Sequence, residues 1–303
     1  MNTFLFSVLA HTLSTDIRQA ASQSRTLGFD AIEFPVVHMP GELSSTGFRE
    51  LRHLIAAQRL ELHALHLTLP GKGFMPDTAV RGRTSADIDR ALDLADKAMQ
   101  VCRHSGAKQL VIDVGLLPRG RVTPPRKRIT SQLAGALILP DTAVQEVEED
   151  AVPLDTQAIA SVDAAMIELG NRADRAGVMI CLTTSLSPIV SLADALARVD
   201  CPWFFVSIDT AAVVREGTQF SDAFNMFPPR KIAHVRAQDV VRGDAGLTRP
   251  TIIGRGDVPW RELLSLLREA DYLGSILIDP TDLPDRTAAA RAGLAQLRAI
   301  AAT

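Results

Sequence analysis

Aromatic residues are scarce in this chain. One tyrosine, two tryptophans and eleven phenylalanines among 303 residues leave the core to be filled by Leu, Ile, Val, Ala and Phe. Cysteine is scarce too. Cys102, Cys181 and Cys201 are widely spaced and odd in number, which excludes a disulfide framework or a paired-cysteine metal knuckle and makes a reducing, cytoplasmic setting the expectation. No segment approaches the roughly 18 consecutive apolar residues of a membrane helix. The start, MNTFLFSVLAHTLS, has an apolar run without a basic lead, so it reads as a first strand rather than a signal peptide. A net charge of −3 and a pI near 6.2 give no general case for a nucleic-acid partner or an anionic membrane.

What is present is an ordinary soluble composition, 47% hydrophobic and 22% charged, arranged as an alternation. Short apolar runs at 4–9, 31–34, 60–67, 109–113, 177–183, 203–209, 232–237 and 274–279 each precede a stretch with helical spacing. Asp16 or Thr15 is placed to cap the first helix and Gly28 to end it. Eight such alternations call for parallel strands with right-handed crossovers. A doubly wound open sheet would offer a glycine-rich turn after its first strand, and Ala10-His11-Thr12-Leu13-Ser14 holds no glycine. The expected fold is therefore α/β, a single (β/α)8 TIM barrel spanning 1–303, with a long insertion after strand 4. That insertion, 115–155, is far longer than the usual connection of about 2 to 6 residues. It runs from basic (Arg119 to Arg128) through apolar (LAGALILP) to acidic, and reads either as an excursion on the active face, an oligomer arm, or a solvated loop.

Sites in such barrels lie at the C-terminal strand ends, where this chain carries polar residues: Glu33, His66, Asp113, Asp209, Asp279, and the run Ile232–Asp239, IAHVRAQD, with His234, Arg236 and Asp239. His63 and His66 are three apart on one strand, so one at most points inward. Each has a plain structural alternative. Glu33 can salt-bridge a loop, Asp113 can orient one, and Asp239 and Asp257 can cap the segments that follow. Arg236 is harder to explain away, because a buried guanidinium needs an anionic partner. An Asp209–Arg236 pair is the expected solution.

The motifs Leu27-Gly28-Phe29-Asp30-Ala31-Ile32-Glu33, Ser207-Ile208-Asp209-Thr210, His234-Val235-Arg236-Ala237-Gln238-Asp239 and Gly254-Arg255-Gly256-Asp257-Val258-Pro259-Trp260, in that order, resemble the xylose isomerase-like TIM barrels. That group includes sugar-phosphate isomerases and epimerases, inosose dehydratases and endonuclease IV. The resemblance implies proton transfer next to the carbonyl of a sugar or sugar phosphate, and a homodimer as one expected assembly. It also implies a divalent metal (Mn²⁺, Mg²⁺ or Zn²⁺) held by a glutamate ending strand five, an aspartate ending strand six, a histidine on strand seven and a glutamate ending strand eight.

This sequence departs from that set. Thr183 stands for the first glutamate, Arg236 for the histidine, and Asp279 for the second glutamate; Asp209 alone is kept. A shift of two residues would instead place His234 at the ligand position. Three readings follow. One is an isomerase or epimerase with a rearranged site, in which Glu33, His66, Asp113 and Arg236 are the candidate catalytic residues. Asp209 and Asp279 are then the remaining metal candidates, and His234, Arg255 and Arg119 the candidate substrate contacts. The second is a metal-independent enzyme or binding protein in which Arg236 replaces the metal as a fixed charge. The third is a catalytically inactive scaffold. A DNA-repair role like that of endonuclease IV is disfavoured by the acidic pI and the scattered histidines.

Overall fold

The computed structural model describes residues 4–39, 44–75, 85–118, 156–243 and 247–303. Strands β1 (Leu5–Leu9), β2 (Ala31–Pro35), β3 (Glu61–Thr68), β4 (Gln109–Asp113), β5 (Met179–Thr183), β6 (Phe204–Asp209), β7 (Ile232–Ala237) and β10 (Ser275–Ile278) close into one parallel barrel, with β10 joining β7 to β1. The hairpin β8 (Asp239–Arg242) and β9 (Thr248–Thr251) interrupts the alternation directly after β7. Helices α1 (Ile17–Leu27), α2 (Ser45–Ala57), α3 (Ser85–Ser105), α4 (Thr156–Ala176), α5 (Ile189–Arg198), α6 (Thr210–Glu216), α7 (Phe220–Asn225), α8 (Trp260–Glu269) and α9 (Arg286–Ala301) fill the connections. The barrel is the one expected from the alternation. The hairpin and the short α6 were not expected, since both are too brief to leave a period.

Local chemistry sets the boundaries. Asp16 accepts from the Gln19 N–H, Ser44 from Gly47, Asp209 from Ala212 and Asp285 from Ala288, each satisfying a free amide at a helix start. Gly28 ends α1 at φ 95°, a conformation that suits glycine. Asp257, expected as a cap for α8, instead accepts from the Arg242 N–H on the hairpin, and Pro259 holds the cap position.

The apolar core lies between the strands and the helices, with Phe29, Phe34, Leu65, Met99, Leu110, Ile112, Met166, Leu169 and Phe204 fully buried. The barrel interior is different. Small residues, Ala64, Val111 and Cys181, pack there with Phe205 and Ala233. Beside them stand buried polar side chains on β1, β2, β6, β7 and β10. Two register shifts, one in the β2–β3 pairing and one in the β6–β7 pairing, re-aim the strands that carry His66 and His234, the usual effect of a bulge. His63, at the first shift, is buried and bonded through Nδ1 to Glu61 Oε1 at 2.7 Å. Among the described residues no helix is long and apolar enough to cross a membrane.

Asp239 ties the hairpin to the barrel. It is buried and accepts from the N–H groups of Val240, Gly254, Gly256 and Val258 and from Trp260 Nε1. Gly256 is required at this point, because a Cβ there would meet Asp239 Oδ1 at 2.2 Å. Asp239→Ala would orphan these donors at once. It should cost about 3–5 kcal/mol of unfolding free energy in a denaturant titration; a loss below about 1 kcal/mol would show that the donors find other partners.

Candidate active site at the C-terminal mouth of the barrel

Glu33 is the centre of the interior. It is fully buried, near the mouth end of β2. Oε1 accepts from Ser7 Oγ at 2.6 Å and Ser275 Oγ at 2.7 Å. Oε2 meets His66 Nε2 at 2.6 Å and His234 Nε2 at 3.0 Å. Strands β2 and β7 are separated by β1 and β10 in the barrel, so the last bond crosses the lumen. Burial would push the Glu33 carboxyl up, but His234 and His66 outweigh it and hold the group well below the usual carboxylate range. Glu33 is therefore ionised, and the groups around it are donors.

The tautomers follow. Burial lowers the His234 imidazole below its ordinary value, although Glu33 pulls the other way. A neutral His234 that donates from Nε2 must accept at Nδ1, and Ser207 Oγ lies 2.7 Å from that atom. His66 likewise donates from Nε2. Its side chain is 19% exposed against 0% for Glu33 and His234. It is the member of the cluster that reaches the mouth, and its Nδ1 makes no hydrogen bond among the described residues.

One layer nearer the solvent lies Arg236, two residues beyond His234 on the same face of β7. Its Nε donates to Asp279 Oδ2 at 2.8 Å and its Nη2 lies 2.5 Å from the same oxygen; Nη1 is 3.7 Å from Asp209 Oδ2. The expected Asp209–Arg236 pair is present, but Asp279 is the tighter partner. Asp279 also accepts from the Thr281 N–H and Oγ1 and from Gln238 Nε2. Burial raises its carboxyl, and Arg236 with Thr281 more than compensates and lowers it.

The resemblance implies a divalent cation among the ends of β5, β6, β7 and β10. Thr183, Asp209, Arg236 and Asp279 stand there, and they do not fit one: a guanidinium with no lone pair lies between the two carboxylates. A different group, Glu33, His66 and His234, brings three potential metal-ligating atoms within 4.8 Å of one another, the one such group among the described residues. Carboxylate plus imidazole suits Zn²⁺ in kind. In this structure each Glu33 oxygen has two partners, the Ser7 and Ser275 hydroxyls on Oε1 and the two imidazole Nε2 atoms on Oε2.

The remaining candidates lie apart from this cluster. Asp113 Oδ1 accepts from the Gly115 and Ser185 N–H groups and holds two loops together. Arg255 is exposed on the turn after β9 and makes no contact with the cluster. Arg119, with most of the 115–155 insertion, lies outside the described residues. Sequence reasoning missed Ser7, Ser207 and Ser275. The available signal was a lone hydroxyl within each of three apolar strands, LFSVL, FFVSID and SILI.

A family model described as xylose isomerase-like TIM barrel matches residues 21–300. The chain belongs to that family. Among solved structures, this xylose isomerase-like barrel is similar to the IolI protein with a binding zinc atom (14% identity, TM-score 0.71, covering 99% of this chain and 98% of that one). It is also similar to an L-ribulose 3-epimerase (14%, TM-score 0.70, 99% and 95%) and to a D-allulose 3-epimerase from Methylomonas sp. (18%, TM-score 0.66, 99% and 99%). At these identities the likeness establishes the fold. A search of curated proteins gives no match.

The buried cluster fixes a pH dependence. His11, on the turn after β1, is lowered to about 4, first by burial and then by His38; His234 is also lowered, and Glu33 and Asp279 are lowered as well. Every one of these groups binds a proton more readily unfolded than folded, so stability must rise with pH across the interval between the two values. Acidification should remove stability in two stages. The histidines act as pH falls below about 6.5, and the carboxylates below about 4.5. Urea titrations from pH 8 to 4 will read this, and a flat profile between pH 7 and 5 would contradict the buried neutral imidazoles.

Proposed function

We propose that this barrel catalyses proton transfer next to the carbonyl of a small hydroxylated substrate, isomerase or epimerase chemistry on a sugar, with Arg236 standing where the family's metal would be. One observation carries this reading: His66 is pinned through Nε2 to an ionised, fully buried Glu33 while its Nδ1 is left open at the mouth. A carboxylate behind an imidazole fixes its tautomer and stabilises the imidazolium that forms when the outer nitrogen takes a proton.

In the proposed reaction His66 Nδ1 removes the proton from the carbon beside the carbonyl. The carbonyl oxygen gains negative charge, and the loosely held Nη1 arm of Arg236, 3.7 Å from Asp209, is the donor for it. Asp279 holds the rest of the guanidinium in place. Return of the proton by His66 to the neighbouring carbon, with transfer between the oxygens, gives an isomer; protonation of the opposite face by water, with the His66 imidazolium neutralising the hydroxide left behind, gives an epimer. Ser7, Ser207, Ser275 and His234 position Glu33 and touch no substrate. Arg236 is already offset by two carboxylates, so the mouth has no free cation among these residues for gripping a phosphate. A neutral sugar is favoured over a sugar phosphate, and over the reading of a simple anion-binding protein.

The test is substrate-proton exchange in D₂O, followed by NMR with ketoses of the kind named for the neighbouring structures, such as D-allulose and L-ribulose. His66→Gln should slow washout about 10²–10⁴-fold, and Arg236→Met should also lower it without loss of folding. Added Mn²⁺, Mg²⁺ or Zn²⁺ should neither be needed nor raise the melting temperature, as any native-state ligand must. Exchange that survives His66→Gln would remove the assigned base. Exchange that depends on a stoichiometric metal would remove the role assigned to Arg236.

A further inference from the structure

The proposed reaction leaves one imidazole at the mouth unused. His11 lies on the 3₁₀ turn Ala10–Thr12, into which β1 runs; β1 stands between β2, which carries Glu33, and β10, which leads to Asp279. Its ring is stacked on His38, with centroids 4.5 Å apart and planes 15° from parallel, so the ring's orientation is fixed before any ligand arrives. Its Nδ1 is buried and has no hydrogen-bond partner among the described residues. Neither ring nitrogen bonds any other described residue.

Buried polar atoms are nearly always satisfied, and an orphan in a site calls for a partner that arrives from outside. The turn that carries His11 follows β1, which pairs with β2 and β10, so it lies on the same C-terminal rim as the ends of the strands leading from Glu33 and to Asp279. Burial and His38 keep the ring neutral at pH 7. A neutral imidazole offers one donor and one acceptor, both in the ring plane, on the two nitrogens that flank Cε1. A hydroxyl group, itself donor and acceptor, matches that; a carboxylate or phosphate, which only accepts when ionised, matches half of it.

We propose that His11 is a substrate-binding residue whose Nδ1 takes a hydrogen bond with a hydroxyl of the sugar held over His66 and Arg236. This rests on the reading of the mouth as a sugar site and adds which rim of it, β1 with the turn after β2, recognises the hydroxylated part of the ligand. A site built around a hydrogen bond rejects a ligand lacking the group more sharply than an apolar surface does, because the buried partner is then left unpaired. His11 is thus assigned a role in specificity rather than in the proton transfer itself.

The experiment compares wild type with His11→Phe, which keeps the ring stacked on His38 and removes both nitrogens, and with His11→Gln, which restores a hydrogen-bonding tip. Affinities for D-allulose, L-ribulose, D-fructose and D-tagatose are read by calorimetry, and melting temperatures by calorimetric scans of the free proteins. His11→Phe should melt at or above the wild-type temperature, since the atom it removes has no partner among the described residues. It should bind the preferred sugar about tenfold more weakly. His11→Gln should recover part of the loss. Equal affinity in wild type and variants, with the sugar bound, would overturn the assignment while leaving the sugar site intact. A clear drop in melting temperature of His11→Phe would also overturn it, by showing that the nitrogen has a partner within the protein. Failure of the wild type to bind any of the four sugars would overturn the sugar-site reading and the assignment with it.

Discussion

A fully buried carboxylate sits inside the barrel, and much else near the mouth is arranged to tolerate it. An ionised Glu33 without partners would be prohibitively costly in a medium that excludes water. It is kept by four donors drawn from four other strands, Ser7 on β1, His66 on β3, His234 on β7 and Ser275 on β10. Every hydrogen bond points toward it. That polarity leaves His234 and His66 no choice of tautomer and requires Ser207 to donate to His234. The arm through His234 and Ser207 is closed and buried at both ends, while the arm through His66 ends in an open nitrogen. In the proposed function, that asymmetry is the reason one imidazole is given a supporting role and the other the chemistry.

The second layer inherits its position from the first. Residues two apart on a strand share a face, so fixing His234 inward also aims Arg236 inward, one step nearer the mouth. The neighbouring strands present Asp209 and Leu277 in register with it. Asp279, just past the end of β10, then meets the guanidinium from the far side. Immediately beyond β7 the chain leaves the barrel for the hairpin, and Asp239 fixes that exit by collecting amides from 240 to 258. Within six residues, 234 to 239, β7 and its end supply the deep histidine, the rim cation and the anchor of the hairpin.

Much of this was legible in the sequence, for definite reasons. Eight apolar runs, each followed by a helical period, specify a parallel barrel, and strand-end carboxylates mark which end is wet. Arg236 within an apolar strand demanded an anion, and anions at 209 and 279 lay at the right ends. What was not legible is long-range. Nothing near Glu33 in the chain says that its four partners come from 7, 66, 234 and 275, because a serine in a strand reads the same whether it donates to a carboxylate across a lumen or to a neighbouring carbonyl. The choice of Asp279 over Asp209 as the tighter partner turns on the difference between 2.5 and 3.7 Å, which no sequence pattern encodes. The hairpin, with strands of four residues, is too short to announce itself by alternation.

On the proposed reading, the three departures from the ligand set that the resemblance implies, at 183, 236 and 279, are not independent. Two glutamates, an aspartate and a neutral histidine around a divalent cation carry a net charge of −1. Thr183, Asp209, Arg236 and Asp279 also sum to −1: two carboxylates, one guanidinium and a neutral hydroxyl. Replacing a dication by a monocation while keeping three carboxylates would have left an additional unbalanced negative charge in a partly buried site, where Coulomb interactions are far stronger than in water. Losing the glutamate at 183 removes that charge. Shortening the one at 279 to aspartate draws the carboxylate back by a methylene and makes room for a side chain longer than histidine. On the reading proposed for the mouth, arginine at 236, threonine at 183 and aspartate at 279 belong together, because the three residues keep the charge of the site balanced around one fixed cation.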